Sequence, residues 1–274
     1  MSYTRQKKIA AINDFCGFGR CSLAVSLPII SSMKIQCCPI PTSIFSNHTG
    51  YESFYYTDYT EHMASYIREW KKLGLEFEGI LTGFLGSPEQ IDIVRRFLKE
   101  FKGENTVTVI DPVMGDNGKL YPTYPDELAE QMATLVSFAD ILTPNLTEAC
   151  ILTKTAYKAD MNSEELSEIC EKLCSMGPKS IVISGLDRGE YMENFIFEYG
   201  TKPKIVREQK EGPCRAGTGD VFSSMIVADM VNGIAFVDAV QHASSFIAKT
   251  LRRTVEMELS ETDGICFEEF LDEI

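Results

Sequence analysis

Apolar segments of strand length alternate with longer segments of helical periodicity along most of this chain. Several of the apolar segments lack polar alternation, as expected for strands covered on both faces of a parallel sheet. These strands are predicted at Gly79–Thr82, Val107–Ile110, Ile141–Thr143 and Ile181–Ser184, after two earlier ones at Ile9–Ile12 and Ile35–Ile40. Helices are predicted at Cys21–Met33, Pro88–Phe101, Asp126–Phe138, Ser163–Met176, Thr218–Val231 and Val237–Leu251. The alternation predicts an α/β protein of three layers, α/β/α, with a mostly parallel central sheet.

The pattern shows no internal division. No linker rich in Pro, Gly or Ser and no repeat interrupts the 274 residues, so a single domain over residues 1–274 is predicted. Asn194–Glu198 and Lys204–Arg207, separated by a turn that contains glycine, predict an antiparallel pair near one edge of the sheet. The polar and aromatic stretch Ser46–Tyr59 has no clear period.

Composition excludes several classes of partner. A formal net charge of −14 argues against nucleic acid and against anionic membranes, because such surfaces attract an excess of Lys and Arg. No apolar run approaches the length of about 18 residues that a membrane span requires, and the N-terminus has no apolar signal core. The nine cysteines follow no metal or disulfide spacing and are interpreted as reduced thiols. A cytoplasmic protein is predicted.

A glycine-rich loop precedes the helix that begins at Thr218. Gly217 and Gly219 allow a tight turn and a close approach of the backbone to a ligand. The free N–H groups of a helix start, together with the positive end of its dipole, form a site for phosphate. Asp220 would repel such an anion, which favours a chemical role for this carboxylate as the base that takes a proton from a hydroxyl group. The alternative is an acid that only stabilises the helix dipole.

Polar side chains also follow the predicted strands. Asp111 and Asp116 bracket a loop directly after one strand, and Asn145 and Glu148 follow the next. Ligands bind beyond the carboxyl ends of parallel strands, so these groups are expected to lie together. Oxygen ligands of this kind, few in number and combined with a phosphate, suit Mg²⁺. The local alternatives are a turn at Asp111 and an N-cap with a first-turn acid at Glu148.

Other nucleotide and hydrolase motifs are absent from the sequence. No GxxxxGK[ST] segment occurs, so the chain is not a P-loop enzyme. The segment Gly17-Phe18-Gly19-Arg20 lacks the third glycine and the later acid of a dinucleotide fingerprint. No GxSxG segment supports Ser-His-Asp catalysis.

Taken in order, a set of segments resembles the pyridoxal/pyridoxine/pyridoxamine (vitamin B6) kinases of the ribokinase superfamily. They are AINDFCGFGRCSL, PIPTSIFSNHTGY, LTGFLGS, VIDPVMGD, ILTPNLTEA, IVISG and AGTGDVFS. The resemblance extends from Ile9 to about Leu251, nearly the whole chain. The GTGD and TPNxxE elements are shared with the wider superfamily, whereas NDFCGFGRCSL and SNHT are more specific to vitamin B6 kinases.

The resemblance implies a ribokinase-like fold and ATP-dependent phosphorylation of a 5′-hydroxymethyl group on a pyridine ring. It also implies a role for each matching residue, with Asp220 as catalytic base and Gly217, Thr218 and Gly219 as anion hole. The implied nucleotide and cation positions are Asp111, Thr143, Asn145, Glu148 and Ser184, with Asp116 nearby, and Asp111, Asp116 and Glu148 are the implied metal acids. The implied substrate contacts are Asp14, Thr42, Phe84 and Asp220. A homodimer, Mg²⁺ and a monovalent cation such as K⁺ or Na⁺ are further implications.

Two departures leave the preferred vitamer open. Asp14 stands where several relatives have Ser, and Phe84 stands where they have Tyr. A hydroxymethylpyrimidine kinase of thiamine synthesis remains an alternative, since it shares the fold and the chemistry. A non-catalytic pyridoxal-phosphate-binding protein of the same fold is the alternative from a different class, and an intact Asp220 argues against it.

Overall fold

The computed structural model describes residues 6–121, 124 and 126–274. Residues 1–5, which carry part of the N-terminal segment predicted to lack an export signal, lie outside the described residues. No helix in the described part of the chain is both long enough and apolar enough to cross a membrane.

Strands and helices alternate as the apolar pattern predicts. In chain order they are β1 (Lys8–Cys16), α1 (Leu23–Ser32), β2 (Gln36–Phe45), β3 (Tyr56–Asp58), α2 (Thr60–Lys72), β4 (Gly79–Thr82), α3 (Pro88–Phe101), β5 (Val107–Ile110), β6 (Gly115–Asp116), β7 (Lys119–Leu120), α4 (Asp126–Val136), β8 (Ile141–Leu142), α5 (Leu146–Thr153), α6 (Ser163–Met176), β9 (Ser180–Asp187), β10 (Tyr191–Glu198), β11 (Lys204–Gln209), α7 (Thr218–Asn232) and α8 (Phe236–Glu256). Two short 3₁₀ helices, Glu261–Asp263 and Glu268–Glu273, follow α8.

The central sheet has the strand order β11-β10-β9-β8-β5-β4-β1-β2-β3 among the residues described. Its interior pairs, from β2 across to β9, are all parallel. The antiparallel strands lie at the edges, with β3 on one side and the β10–β11 pair on the other. A separate hairpin of β6 and β7 follows β5. The predicted mostly parallel sheet and its antiparallel edge pair are confirmed.

Helices cover both faces of the sheet. One buried cluster joins the sheet to α2, α3, α4, α5 and α6, and a second joins it to α1, α7 and α8. Neighbouring residues of β1 point to opposite clusters, as the two-residue period of a strand requires: Ile9 packs with the second cluster and Ala10 with the first. The predicted three-layer α/β/α fold is therefore confirmed.

Some elements differ from the sequence prediction. The helix α2 was not predicted because its only buried residues are Thr60, Met63 and Ile67, a narrow stripe in a polar segment. The helix α5 spans eight residues and is too short for a clear period. The strand β2 continues past Pro39 and Pro41, beyond the predicted end at Ile40. Neither proline has a backbone N–H, but β2 pairs with β3 only at residues 43–45, so the prolines interrupt no hydrogen bond between these two strands.

Candidate active site

The predicted polar segments meet at the carboxyl ends of the parallel strands. The helix α7 packs against β4 and β5, and its first turn reaches the end of β1, where Asp220 Oδ1 accepts a hydrogen bond of 2.9 Å from Asn13 Nδ2. At the end of β8, Asn145 pairs with Ser184 of β9 through a backbone bridge. The clustering expected for an open parallel sheet is present.

The carboxylate of Asp220 has the properties of a base that works near neutral pH. Burial raises the pKa of Asp220 to about 6, against hydrogen bonds from the Ser22 backbone N–H and from Asn13 that lower it. The carboxyl group is therefore largely ionised at pH 7 and yet more basic than an ordinary Asp. Both properties suit the removal of a proton from a hydroxyl group.

The glycine-rich loop forms the open start of α7. Gly217 has a φ of 79°, and a Cβ at this position would lie 1.9 Å from the Arg20 carbonyl oxygen, so only glycine fits. By contrast, a Cβ on the exposed Gly219 would meet nothing within 4 Å. The Thr218 hydroxyl donates to the Arg215 carbonyl at 2.9 Å and fixes the turn. The N–H groups of this first turn have no partner inside the helix, and the space beside Gly219 is open, as an anion site requires.

Acidic side chains at the strand ends interact with one another. Burial, reinforced by the charges of Glu148 and Asp220, raises the pKa of Asp111 well above its usual value, against a hydrogen bond with Ser223. Burial also raises the pKa of Glu148 to about 8, and the nearby charge of Asp116 adds to the rise. Buried acids this close together repel one another when ionised, so a cation bound at this edge of the sheet would stabilise their charged forms.

The side chain of Glu148 is also part of the scaffold. Its Oε2 accepts from the Asn145 N–H at 2.8 Å, and its Oε1 accepts from the Met114 N–H at 3.1 Å. Asn145 completes a capping box at the start of α5 and donates from Nδ2 to the Gly115 carbonyl at 2.8 Å. The local alternative of a helix cap with a first-turn acid is thus present, with Asn145 as the cap. The same bonds fasten the loop that carries Asp111 to the start of α5.

Asp116 lies at the exposed rim of this acidic group. Its two carboxylate oxygens accept from the backbone N–H and the side-chain amide of Asn117, at 2.8 and 3.0 Å. Within residues 6–121, 124 and 126–274, no three His, Cys, Asp or Glu side chains lie close enough to hold a metal ion by themselves. Mg²⁺ does not require such a cage, because it usually keeps several waters and binds through one or two carboxylates and the phosphates of a nucleotide.

Two predicted hydroxyl positions flank the acidic group. Thr143 is buried at the end of β8, where its N–H donates to the Ile110 carbonyl at 3.1 Å. Ser184 is half-buried on β9, and its N–H donates to the Pro144 carbonyl at 2.9 Å. Both residues are thus held by their backbones on strands next to the anion site.

The predicted substrate residues lie on the other side of Asp220. Asp14 is buried, and its oxygens accept from the Ser22 hydroxyl at 2.6 Å and from the Cys16 thiol at 3.2 Å. Burial raises the pKa of Asp14, against these two bonds. Thr42 donates from its hydroxyl to the Phe84 carbonyl at 3.0 Å. The half-buried Phe84 ring packs against the buried cluster of Cys16, Cys21 and Phe45, and so offers an apolar face.

Two buried amides that the sequence analysis missed organise this side. Asn13 is hydrogen-bonded to Asp220 and, through Oδ1, to the N–H groups of Asp14 and Phe84. Gln90 is fully buried and donates to the Thr42 carbonyl at 2.8 Å, while its Oε1 accepts from the Gly86 N–H at 2.8 Å. The one sequence signal for Asn13 is its place directly after an apolar strand.

A segment after α8, residues 259–268, crosses the site and is called here the C-terminal strap. His48 Nε2 lies 2.6 Å from the Thr262 carbonyl oxygen. The Tyr51 hydroxyl donates to Asp263 Oδ1 at 2.9 Å. The strap therefore holds the loop that contains the SNHT segment.

The strap also holds the two glycine-containing loops next to Asp220. Arg20 Nε donates to Glu268 Oε1 at 2.6 Å. The buried Arg215 donates from Nη1 to the carbonyl oxygens of Leu259 and Ser260, at 2.9 and 2.7 Å. Loops from three distant parts of the chain are thereby joined around the opening of the site.

A family model for phosphomethylpyrimidine kinase matches residues 29–264, most of the chain. The chain belongs to the phosphomethylpyrimidine kinase family. It is 31% identical to a pyridoxal kinase of Arabidopsis thaliana over 233 residues, which cover 80% of this chain and 72% of that protein. The predicted membership among vitamin B6 kinases of the ribokinase-like superfamily is confirmed, and the protein is an enzyme of the kinase class.

Solved structures of this kinase family share the whole fold. A protein of Bacteroides thetaiotaomicron, provisionally described as a phosphomethylpyrimidine kinase, is 39% identical in its rhombohedral crystal form, with a TM-score of 0.96 over 100% of this chain and 95% of that chain. Its orthorhombic form, with pyridoxal, is also 39% identical, with a TM-score of 0.93 over 98% of this chain and 96% of that chain. The predicted ribokinase-like α/β fold agrees with both.

Proposed function

We propose that this protein transfers the γ-phosphoryl group of ATP to the 5′-hydroxymethyl group of pyridoxal, pyridoxine or pyridoxamine. The observation that carries the proposal is the position of Asp220 in the first turn of α7, directly after the glycine loop and beside the open space at Gly219. This arrangement places a base and an anion site next to each other, which is what phosphoryl transfer to an alcohol needs. The similarity to a pyridoxal kinase and to a structure with pyridoxal identifies the alcohol.

The base and the anion site divide the work of the reaction. Asp220 receives the hydroxyl proton as the oxygen attacks, because its carboxylate is ionised above a pKa of about 6. The N–H groups of residues 217–219 stabilise, as hydrogen-bond donors, the negative charge that develops on the transferred phosphoryl group. The buried side chains of Asn13 and Asp14 limit the access of competing water on the substrate side of Asp220.

The nucleotide and its cation are proposed to lie at the ends of β5, β8 and β9, beside Asp111, Thr143, Asn145, Glu148 and Ser184. Asp111 and Glu148 fit a cation because their pKa values are raised and their charges repel, and Asp116 can complete the set from the rim. Mg²⁺ held there, directly or through water, would neutralise negative charge on the β- and γ-phosphates of ATP. A monovalent K⁺ or Na⁺ is proposed as an additional ion.

The substrate ring is proposed to lie between Phe84 and the segment that carries Asp14. A flat apolar surface and a few polar groups at its edge are the features that hold a pyridine. Phe84 provides the surface, while Thr42 fixes the loop of Phe84 by its 3.0 Å bond to the carbonyl oxygen. Asp14 shares the hydrogen-bond acceptor Asn13 Oδ1 with Phe84 and is proposed to read a polar substituent of the ring.

The wider assignment is one catalytic domain that acts in the cytoplasm as a homodimer, without a nucleic-acid or membrane partner. The exposed aromatic side chains near the outer edge of β2 and β3, namely Phe54, Tyr55 and Tyr56, are consistent with a protein surface that is covered in an assembly.

A coupled assay of ADP release tests the proposed function. Wild type and Asp220→Asn are compared with pyridoxal, pyridoxine, pyridoxamine and hydroxymethylpyrimidine at saturating ATP and Mg²⁺. We expect turnover of at least one B6 vitamer by wild type, with kcat about 10²- to 10⁴-fold lower in the variant. Faster turnover of hydroxymethylpyrimidine than of any vitamer would transfer the assignment to thiamine synthesis. Absence of any turnover would favour a non-catalytic binding protein.

A further inference from the structure

The side chain of Asn13 joins the two halves of the active site. It lies at the end of β1 and is only 6% exposed. Its Nδ2 donates to Asp220 Oδ1 at 2.9 Å, while its Oδ1 accepts from the N–H groups of Asp14 and Phe84, at 2.9 and 2.8 Å. One buried amide thus touches the base and both segments that carry the substrate-side residues.

The orientation of this amide is fixed by its partners. Two backbone N–H groups require the oxygen end of Asn13, and a carboxylate requires its NH₂ end, so a flipped amide would lose all three bonds. No other neutral side chain of the same size offers both functions in this arrangement. Aspartate would keep the two accepted bonds and lose only the donor to Asp220.

Gly83 makes room for the amide. A Cβ at Gly83 would lie 2.4 Å from Asn13 Nδ2 and 2.5 Å from its Cγ. The residue directly before Phe84 must therefore lack a side chain if Asn13 is to reach Asp220. A methyl group at this position offers a way to displace the amide without changing its chemistry.

We propose that Asn13 is a positioning residue that aims the Asp220 carboxylate and ties it to the substrate segments at Asp14 and Phe84. This inference rests on the proposed function of Asp220 as the base. A carboxylate has about four acceptor positions, and the bonds from Asn13 and from the Ser22 N–H leave room for the substrate hydroxyl. The amide thereby selects which face of the base meets the substrate.

The hydrogen bond from Asn13 also favours the ionised form of Asp220. Burial raises the pKa of Asp220 to about 6, the charge of Asp14 adds to the rise, and the Asn13 bond acts in the opposite direction. Asp111 is the other acid that interacts electrostatically with Asp220. Loss of this donor therefore moves the pKa of Asp220 upward. A carboxylate in place of the amide moves it further, because two like charges at hydrogen-bond distance do not both ionise readily.

The test compares Asn13→Asp with a matched control, Asn162→Asp. Asn162 caps α6, a helix that contributes no proposed site residue, and Asp caps a helix equally well. The dependence of kcat and kcat/KM on pH is measured between pH 5 and 9 with the best vitamer, together with the melting temperature. We expect Asn13→Asp to lower kcat by about 10- to 100-fold and to move the acidic limb upward by about one pH unit or more. KM for the vitamer should stay within about threefold, because both accepted bonds remain.

The control should retain the wild-type pH profile. The proposal is overturned if the acidic limb of the pH profile of Asn13→Asp lies at the same pH as in wild type and its kcat is within about twofold of the wild-type value. If Asn13→Asp does not fold, the pH profile of Gly83→Ala tests the proposal. The added methyl group should displace the Asn13 amide and move the acidic limb upward as well, and an unmoved limb overturns the proposal. A wild-type enzyme without turnover of any vitamer contradicts the proposed function instead, so the two failures are distinguishable.

Discussion

Replacement of Glu148 by Gln should cost the protein stability, whereas replacement of Asp116 by Asn should not. Glu148 is 3% exposed, and its oxygens accept from the N–H groups of Asn145 and Met114. Glutamine has a single oxygen, so one of these N–H groups would face an NH₂ group. Asp116 is exposed, and among the residues that the structure describes its carboxylate bonds only to its neighbour Asn117.

The magnitude follows from the lost bond. With the pKa of Glu148 raised to about 8, the group is mostly protonated at pH 7, so removal of its charge contributes little. The loss of one buried hydrogen bond costs about 1–3 kcal/mol. For a chain of this size, that corresponds to a fall in melting temperature of about 2–10 °C. An exposed substitution such as Asp116→Asn should stay within about 0.5 kcal/mol.

Thermal unfolding at pH 7, without nucleotide or Mg²⁺, measures the difference. Glu165→Gln is a matched control, because Glu165 has the same place in the capping box of α6 but its side chain is 39% exposed. The control should lose clearly less stability than Glu148→Gln. Titration of activity with Mg²⁺ then tests the second role, and both Glu148→Gln and Asp116→Asn should need more Mg²⁺ than wild type.

Equal melting temperatures for Glu148→Gln and Glu165→Gln would refute the reasoning about buried bonds. Unchanged Mg²⁺ titrations for both Glu148→Gln and Asp116→Asn would show that these acids do not serve the cation. Each result concerns one role, so stability and metal dependence are separated.

Three further outcomes are expected. In pH profiles of wild-type kcat/KM, activity should fall as pH drops through about 6, because the Asp220 carboxylate must be ionised to act as a base; a flat profile down to pH 5 would contradict this role. Gly217→Ala should lower kcat by more than about tenfold, since its Cβ would lie 1.9 Å from the Arg20 carbonyl oxygen; near-normal turnover would show that the loop can move away. The bond to Asp229 raises the pKa of His242, so the stability that this bond contributes is fully present below the unfolded pKa of about 6.5 and is lost as pH rises through the higher folded value. The free energy of unfolding should therefore fall more across this window in wild type than in His242→Gln, and parallel curves would refute the assignment.

The sequence predicted the fold where the apolar pattern was long and continuous. Two elements have the same first and last residues in the prediction and in the structure, the strand Val107–Ile110 and the helix Pro88–Phe101. A strand covered on both faces and an amphipathic helix each have a distinctive apolar pattern. The helix Leu146–Thr153 was missed because eight residues give barely two turns. The limits of β2, the strand that contains Pro39, depended on where its neighbour β3 pairs with it. That pairing is set by the folded structure and cannot be read from the local sequence.

The candidate site was predictable in its groups and less so in its bonds. Asp111 could be expected at the site because it directly follows a strand of a parallel sheet, and Asp220 because it lies at a helix start after a glycine-rich loop. The roles of Asn13 could not, since its partners Phe84 and Asp220 are 71 and 207 positions away in the sequence. The individual roles of these site residues in catalysis stay predictions.

The C-terminal strap is synthesised after every loop that it fastens. Arg20, His48 and Arg215 leave the ribosome before residues 259–268 exist, so a nascent chain carries these loops untied. The central sheet can form at that stage, because its last strand ends at Gln209. The loops around Asp220 are therefore tied together only once residues 259–268 have been made, and a chain cut directly after α8 would have a formed sheet with these loops untied.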